Sequence, residues 1–420
     1  MCIRDRNITG PVEIAKVHTK GSSAAGIAFQ GSGSEAVIDG SLTISNVDGD
    51  KAEKQGRYIG VSGIRMTGDN TSMTVTGPVN ISGFKGSALH TAGADSVISV
   101  GGGTISTAAD ADKSHNFYAA RVEKGTVNIN MKNGAPGSAR ANIIGDMYVT
   151  GQYGKKVIEY SGGQLADWQH RGNLHVALTD KDSSWTGVAA YEQYNDNYGS
   201  GGNTMHDIGN FDLYLQNGAT WTNEQQSHVT TTTLAGKNPV YNGSYLMKLH
   251  GGSDAVHKGY IYQKDSKPIT VDNYSGHTLV FYDHTGDGSA AENYSAGDFR
   301  IKTAEEGSSI TLRTGAGGIN TADKTAAGKA LNSLANKLYY MSYAQGDTKL
   351  KGTVEIAEGL TSSSVSASGD IAFRTDTAAD KNGQGTYVYE PEEPLDGPII
   401  KDRLLKGETT VTADDTLSLI

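Results

Sequence analysis

The sequence predicts an all-β protein, a right-handed parallel β-helix, from three observations: abundant glycine, strand-like stretches that repeat at a near-constant step, and polar corner residues between them. Glycine supplies 55 of the 420 residues, against a usual share of about 7%. Because an interior Gly costs a helix roughly 1 kcal/mol relative to Ala, this composition describes a chain that turns often. Collagen-like repetition is excluded by having only 8 Pro, and a disulfide scaffold by the single thiol, Cys2. The 36 Lys and Arg against 46 Asp and Glu give a net charge of −10. No segment gathers the basic residues into a phosphate-binding face, so nucleic acid is not an expected partner. No run of eighteen apolar residues occurs.

The start, MCIRDR followed by NITGPVEI, lacks the apolar stretch of a signal peptide. Residues 1–6 are expected to be an assembly-derived start ahead of a reading frame that begins mid-protein. From residue 7 to 320 the expectation is a series of β-helix coils. Alignment of the segment from Gly26 with that from Gly63 matches Ile27 with Ile64, Phe29 with Met66, Ile38 with Val75, Leu42 with Val79 and Ile44 with Ile81 at an ungapped offset of 37. A shorter step of 24 separates Gly77, Gly101 and Gly125, and also Ile81, Ile105 and Ile129. The two steps reconcile if residues 48–60 form a 13-residue looped insertion in a basic unit of 24. Ile81, Ile105 and Ile129 are then expected to stack in adjacent coils.

A second repeat pairs GNLHVALTDKDSSWT, from Gly172, with GNFDLYLQNGATWT, from Gly209. Leu174, Val176 and Leu178 alternate as Phe211, Leu213 and Leu215 do, the mark of a strand with one buried face. Each ends in a turn and a tryptophan, Trp185 or Trp221, predicted to occupy equivalent buried places. A second looped insertion is expected at 190–207. Fainter copies follow in GHTLVFYDH, GDFRIK, SSITLRT and KGTVEI. One segment breaks the pattern: over residues 321–345, Leu331, Leu334, Leu338 and Met341 fall at helical spacing, with Thr321 or Asn320 available as N-cap. This predicts an amphipathic helix lying against the strands. C-terminal coils are expected over 346–390. Pro391, Pro394 and Pro398 then mark a linker, leaving 391–420 as linker plus the start of a truncated next segment.

The Gly-initiated alternating strand ending in turn and Trp, the stretches YSGHTLVFYDH and FRIKTAEEGSSITLRT, and the helix followed by KGTVEIAEGLT resemble passenger domains of bacterial type V autotransporters, the pertactin-like β-helices. The resemblance covers most of residues 7–390. It implies a surface-displayed or secreted protein, located at the bacterial cell surface in association with the outer membrane or outside the cell. It also implies an outer-membrane β-barrel translocator as partner, absent from these residues as the signal sequence is. Such a passenger would act as a non-catalytic adhesin or exposed scaffold toward a host or neighbouring-cell surface protein or glycan. The scarcity of Cys suits a chain threaded unfolded through a pore.

The rival reading is a β-helical carbohydrate-active enzyme, a polysaccharide hydrolase or lyase. Pectin-degrading β-helices carry acidic triplets, Gly-His-Gly and Arg-Ile-Lys, and here Gly276-His277 precedes Arg300-Ile301-Lys302. Thr278 replaces the second Gly, however, and the only Asp-Asp pair is Asp414-Asp415, downstream. No pair of carboxylates can be nominated for acid-base hydrolysis; Arg300 and Lys302 read as outward positions alternating with Phe299 and Ile301, and no catalytic residue is assigned. His277, Asp283, His284 and Asp287 match no zinc or calcium spacing, so no metal and no cofactor is expected. The candidate ligand-binding residues are Tyr191, Tyr194 and Tyr198, in a Gly- and Asn-rich loop of the composition used by adaptable recognition loops.

Overall fold

A computed structural model describes residues 6–21, 23–49, 60–107, 117–149, 172–190, 192–196, 203–207, 209–227 and 243–371. The protein is mostly β, with long parallel ladders and, among the described residues, one α-helix. It divides into two compact units, Met1–Tyr214 with Glu224–Met247, and Leu215–Asn223 with Lys248–Ile420.

In the first unit the strands come in threes. Ser23–Phe29, Glu35–Asp39 and Leu42–Gly49 are followed by Gly60–Met66, Ser72–Val75 and Val79–Phe84, each pairing in parallel with its counterpart. Every aligned pair at offset 37 is a ladder pair: Ile27 with Ile64, Phe29 with Met66, Ile38 with Val75, Leu42 with Val79 and Ile44 with Ile81. Three inward columns result. Ile44, Ile81, Ile105, Ile143 and Trp185 form one; Ile38, Val75, Val100, Ile129 and Val176 the second; Ile27, Ile64, Leu89, Ala120, Met147 and Ala189 the third. All are buried, so each side chain covers its neighbours along the ladder.

Corner chemistry sets the register. Lys16, Asn46 and Gly83 lie in the left-handed region at successive levels of one ladder, and Gly33, Asn70 and Asp95 do so at another corner. Asn, Asp and Gly adopt that conformation at least cost. The turn chemistry explains why a polar residue recurs where the strands change direction.

Two expectations are corrected here. Ile129 does not stack on Ile105; Ile105 pairs with Ile81 and Ile143, and Ile129 with Val100 and Val176. The step is not constant, because residues 108–116 intervene before the strand Tyr118–Val122, so position 129 falls on the middle strand of its set. The next step lengthens again through the hairpin Met131–Lys132 and Ala135–Pro136, whose base is held by buried Asn130 donating to Gly137 O at 3.2 Å and Ala139 O at 2.7 Å. Likewise, Gly125 does not continue the Gly77–Gly101 approach, since a Cβ there would meet Ser96 and Gly93. Of the insertion 48–60, Asp48, Gly49 and Gly60 belong to flanking strands and 50–59 lie outside the described residues.

The second unit uses fewer strands per repeat. Ile269–Ser275 and His277–Tyr282 are followed by Phe299–Ala304 and Ser309–Gly315, then by Leu338–Tyr340 and Lys351–Ala357, all paired in parallel. Its inward column is Trp221, Ile261, Val280, Leu312 and Val354. The final strand, Val365–Ile371, runs antiparallel to Lys351–Ala357 and occupies its edge.

The helix is shorter than the periodicity suggests. It spans Lys324–Ala335, and its N-cap is Asp323, whose side chain accepts from the N–H of Thr325 at 2.9 Å, not Thr321 or Asn320. Leu331 and Leu334 are buried on its inner face, but Leu338 belongs to a strand and pairs with Phe299. Met341 begins a short 3-10 turn, so the apolar spacing continues past the end of the helix by coincidence. Residues 391–420 lie outside the described residues.

Candidate functional site

Of the tyrosines predicted to bind ligand, Tyr191 and Tyr198 lie outside the described residues. Tyr194 falls in the strand Glu192–Asp196, antiparallel to Asn203–Asp207 and opposite Met205.

The Gly-His and Arg-Ile-Lys segments lie on different ladders of the second unit, with His277 in the strand paired to Ser309–Gly315 and Arg300 in the strand paired to Ile269–Ser275. Phe299 and Ile301 are fully buried, and the side chains between them point outward as expected. Arg300 stands 3.4 Å from Asp298 and lies over the Tyr339 ring, while Lys302 pairs with Asp272. Among the described residues no three His, Cys, Asp or Glu side chains converge as a metal site. His284 instead bonds Gly315 O at 2.8 Å, and Asp287 accepts from Ser289 N at 2.9 Å.

The richest arrangement of functional side chains is the outward face of the Trp221 ladder. Alternation puts Ile261, Val280, Leu312 and Val354 inside, so their neighbours on either side must face out. Register then builds three outward rows. One contains His277, Ser309 and Lys351, with Lys258 preceding the strand Gly259–Gln263 at the same level. The next runs Thr220, Tyr260, Leu279, Thr311 and Thr353, and the third Thr222, Tyr262, Phe281, Arg313 and Glu355.

Contacts along these rows are specific. The Tyr262 and Phe281 rings stack at 4.5 Å and 14°, and Tyr260 meets Phe281 edge-on at 5.9 Å. Leu279 and Phe281 are buried although they face outward, so the neighbouring long side chains cover them. Arg313 donates to Glu355 Oε2 from Nε at 2.8 Å and to Ser362 O at 2.5 Å, which neutralises and fixes it. Lys258 Nζ donates to Thr311 Oγ1 at 3.1 Å, and Thr353 Oγ1 donates onward to the same oxygen at 3.0 Å. Burial, with Arg313 nearby, lowers the Lys258 pKa although Glu355 opposes it. His277 Nδ1 bonds Ser309 Oγ at 2.6 Å, and burial with Lys258 lowers its pKa. Burial raises the Tyr262 phenol, leaving it a neutral donor. The face therefore offers flat aromatic surface beside fixed polar groups.

The first unit holds two buried polar groups of another kind. Arg65, His90, Arg121 and Tyr148 are register partners on one row, with His90 3.4 Å and Arg121 2.7 Å from Glu123. Burial would raise the Glu123 carboxyl, but His90 and Arg121 hold it down to about 2. His90 is driven toward its neutral form by burial and by the two arginines. His90 and Arg121 are buried, while Arg65 at the end of the row is partly exposed. Asp146, also fully buried, accepts from Val188 N at 3.0 Å, Gln226 N at 2.9 Å, and Ser227 N and Oγ at 2.8 and 2.9 Å. It clasps residues 226–227 to a strand some eighty positions earlier. Burial pushes its carboxyl up to about 6 against the pull of those donors.

Sequence reading missed the outward face because alternation says which side chains share a side, not which strands adjoin. The G-Y-I-Y-Q, H-T-L-V-F-Y and I-T-L-R-T stretches each carried the signal, but their order on the sheet follows unequal steps. Comparison with models of known protein families, with characterised proteins and with solved structures found no match.

Proposed function

We propose that the chain is a right-handed parallel β-helix of the autotransporter-passenger type, displayed on a bacterial surface or secreted, and that it serves as a non-catalytic adhesin or exposed scaffold. One observation carries this reading: successive strand sets of the first unit pair in parallel, level upon level, with the same inward column running from Ile44 to Trp185. A chain that winds repeatedly past the same faces generates such ladders, and each level leans only on its neighbours. The outward rows of the second unit add the recognition chemistry that an exposed scaffold needs. An outer-membrane β-barrel would export it, and a surface protein or glycan of another cell would be its partner.

The test is to express the gene that encodes this chain in a Gram-negative host. Antibody labelling of intact cells and release by external protease are expected; retention of the segment inside spheroplasts would contradict the proposal.

A further inference from the structure

Several features of the outward face in the second unit belong together. The chain as a whole carries a net charge of −10, yet Lys258, Lys351, Arg313 and His277 gather here, with Glu355 in the third row, Asp370 beyond Thr353 at the sheet edge and Asp254 near His277. Glu355 is committed to Arg313. Neither Lys258 nor Lys351 has a carboxylate within ion-pairing distance among the described residues. Lys258 is also half-buried and held in place by Thr311, so its ammonium is a fixed cation with unused donors. A charge in that position is costly unless something of opposite sign approaches it.

The aromatic step lies on the same face, on the strand two before Thr311 and three before Lys351, with Leu279 and Phe281 between. On the side away from Phe281, Tyr260 and Tyr262 are opposed by the short side chains of Thr220 and Thr222, and both tyrosines are partly exposed. Rings two positions apart on one strand are separated by roughly 6.5 Å, comparable to the length of one sugar unit. A pyranose presents a face of C–H groups that gains by covering an aromatic ring, and hydroxyls that remain available for hydrogen bonds. Tyrosine serves such contacts at low entropic cost, with its own hydroxyl still solvated.

We infer that this face binds a carboxylated oligosaccharide, with sugar rings against Tyr260 and Tyr262 and a uronate carboxylate at Lys258 and Lys351. The inference rests on the non-catalytic binding reading above and names its ligand class. Arg313 and Glu355, in the third row, are already satisfied by each other, and His277, kept mostly neutral by burial and by Lys258, offers its second ring nitrogen to a hydroxyl.

The experiment is calorimetric titration of the full chain with a tetramer of hexuronic acid, with the matching neutral hexose tetramer and with tetraglutamate. The uronate should bind, at least tenfold more tightly than either other probe, and should weaken as salt rises. K258Q and K351Q should each weaken it several-fold and together at least tenfold, while K132Q, on the first unit's hairpin, should leave it unchanged. Tyr262→Ala should abolish measurable binding and Tyr262→Phe restore it; the lysine variants carry the test if the alanine variant does not fold. Equal binding of tetraglutamate would show that charge alone acts, and no uronate binding, or binding indifferent to the lysines, would overturn the inference. Chromatography of the recovered oligosaccharide separates the two readings. An unaltered tetramer is expected, whereas shortened products would remove the non-catalytic reading and leave the ligand class standing.

Discussion

The two units build parallel ladders from different materials. In the first, strands come three to a repeat, and the inward columns are mostly Ile, Val, Leu, Met and Ala, with Phe29, Phe84, Trp185 and Phe211 as large buried side chains and Gly where backbone and side chains approach closely. A Cβ on Gly63 would lie 2.7 Å from Ala88 O and 2.9 Å from Ile81 Cγ2. In the second unit, strands come two to a repeat. Tyr274, Tyr282, Tyr294, Phe299 and Tyr340 are all buried there, and the helix packs over the last strands. Their phenols are not wasted, since Tyr274 donates to Ser309 O at 2.8 Å, Tyr282 to Gly297 O at 3.1 Å and Tyr294 to Ala330 O of the helix at 3.4 Å. The second unit's large buried side chains are mainly tyrosines, and buried phenols must find partners.

Both units should nonetheless lose stability when their buried tryptophans are truncated. Trp221 is fully buried in the inward column of the second unit, so Trp221→Ala should cost about 3 to 5 kcal/mol. Chemical denaturation followed by tyrosine fluorescence would measure it, and a loss below about 1 kcal/mol would mean that the interior is not tightly filled. Trp185, whose Nε1 donates to Gly145 O at 3.0 Å, should show a similar loss in the first unit.

Asp146 gives the first unit a pH dependence of its own. Its carboxyl is raised from 3.8 to about 6 in the folded chain, so the folded state favours the protonated form. The stability it contributes is fully present below pH ~4 and declines as pH rises through ~6, by up to about 3 kcal/mol at 1.36 kcal/mol per unit. Melting of the wild type against Asp146→Asn between pH 4 and 7 should show the slope in the first and a flatter profile in the second. Identical profiles would assign the titration elsewhere.

A smaller effect is expected at Gly63. Its backbone angles suit any residue, so the cost of Gly63→Ala comes from the close approach alone, about 1 to 2 kcal/mol for overpacking. The same substitution at Gly317, where a Cβ meets nothing within 4 Å, should change the midpoint little. Equal costs at both sites would show that the close approach is not their cause.

How much of this could be read from the residues depended on whether loop lengths repeat. Gly26 and Gly63 begin segments with equal strands and equal corners, and the alignment therefore reproduced the ladder residue by residue. Ile105 and Ile129 share a spacing of 24 but not a ladder, because 108–116 have no equivalent in the preceding level, and the hairpin after Asn130 then places Ile105's partner at Ile143. Leu338 kept a helical phase after Asn336 had ended the helix, since apolar spacing carries no information about where backbone hydrogen bonds stop. The outward rows were visible strand by strand as alternation. Their assembly into one face, with Tyr260 beside Leu279 and Thr311 beside Thr353, required a register that no single period describes.

Cysteine cross-linking tests that register most directly. In a Cys2→Ser background, Thr104→Cys can be paired with a cysteine at Asn80, at Asn142 or at Asn128. Thr104 is the ladder partner of Asn80 and of Asn142, whereas Asn128 pairs with Ser99 and His175. Adjacent parallel strands bring partner Cα atoms to about 4.8 Å, within the range of roughly 4.4 to 6.8 Å that a disulfide spans. Under mild oxidation the 80–104 and 104–142 pairs should link rapidly and the 104–128 pair should not. Linking of 104 with 128 in preference to 142 would restore a strict 24-residue step and contradict the ladders described above.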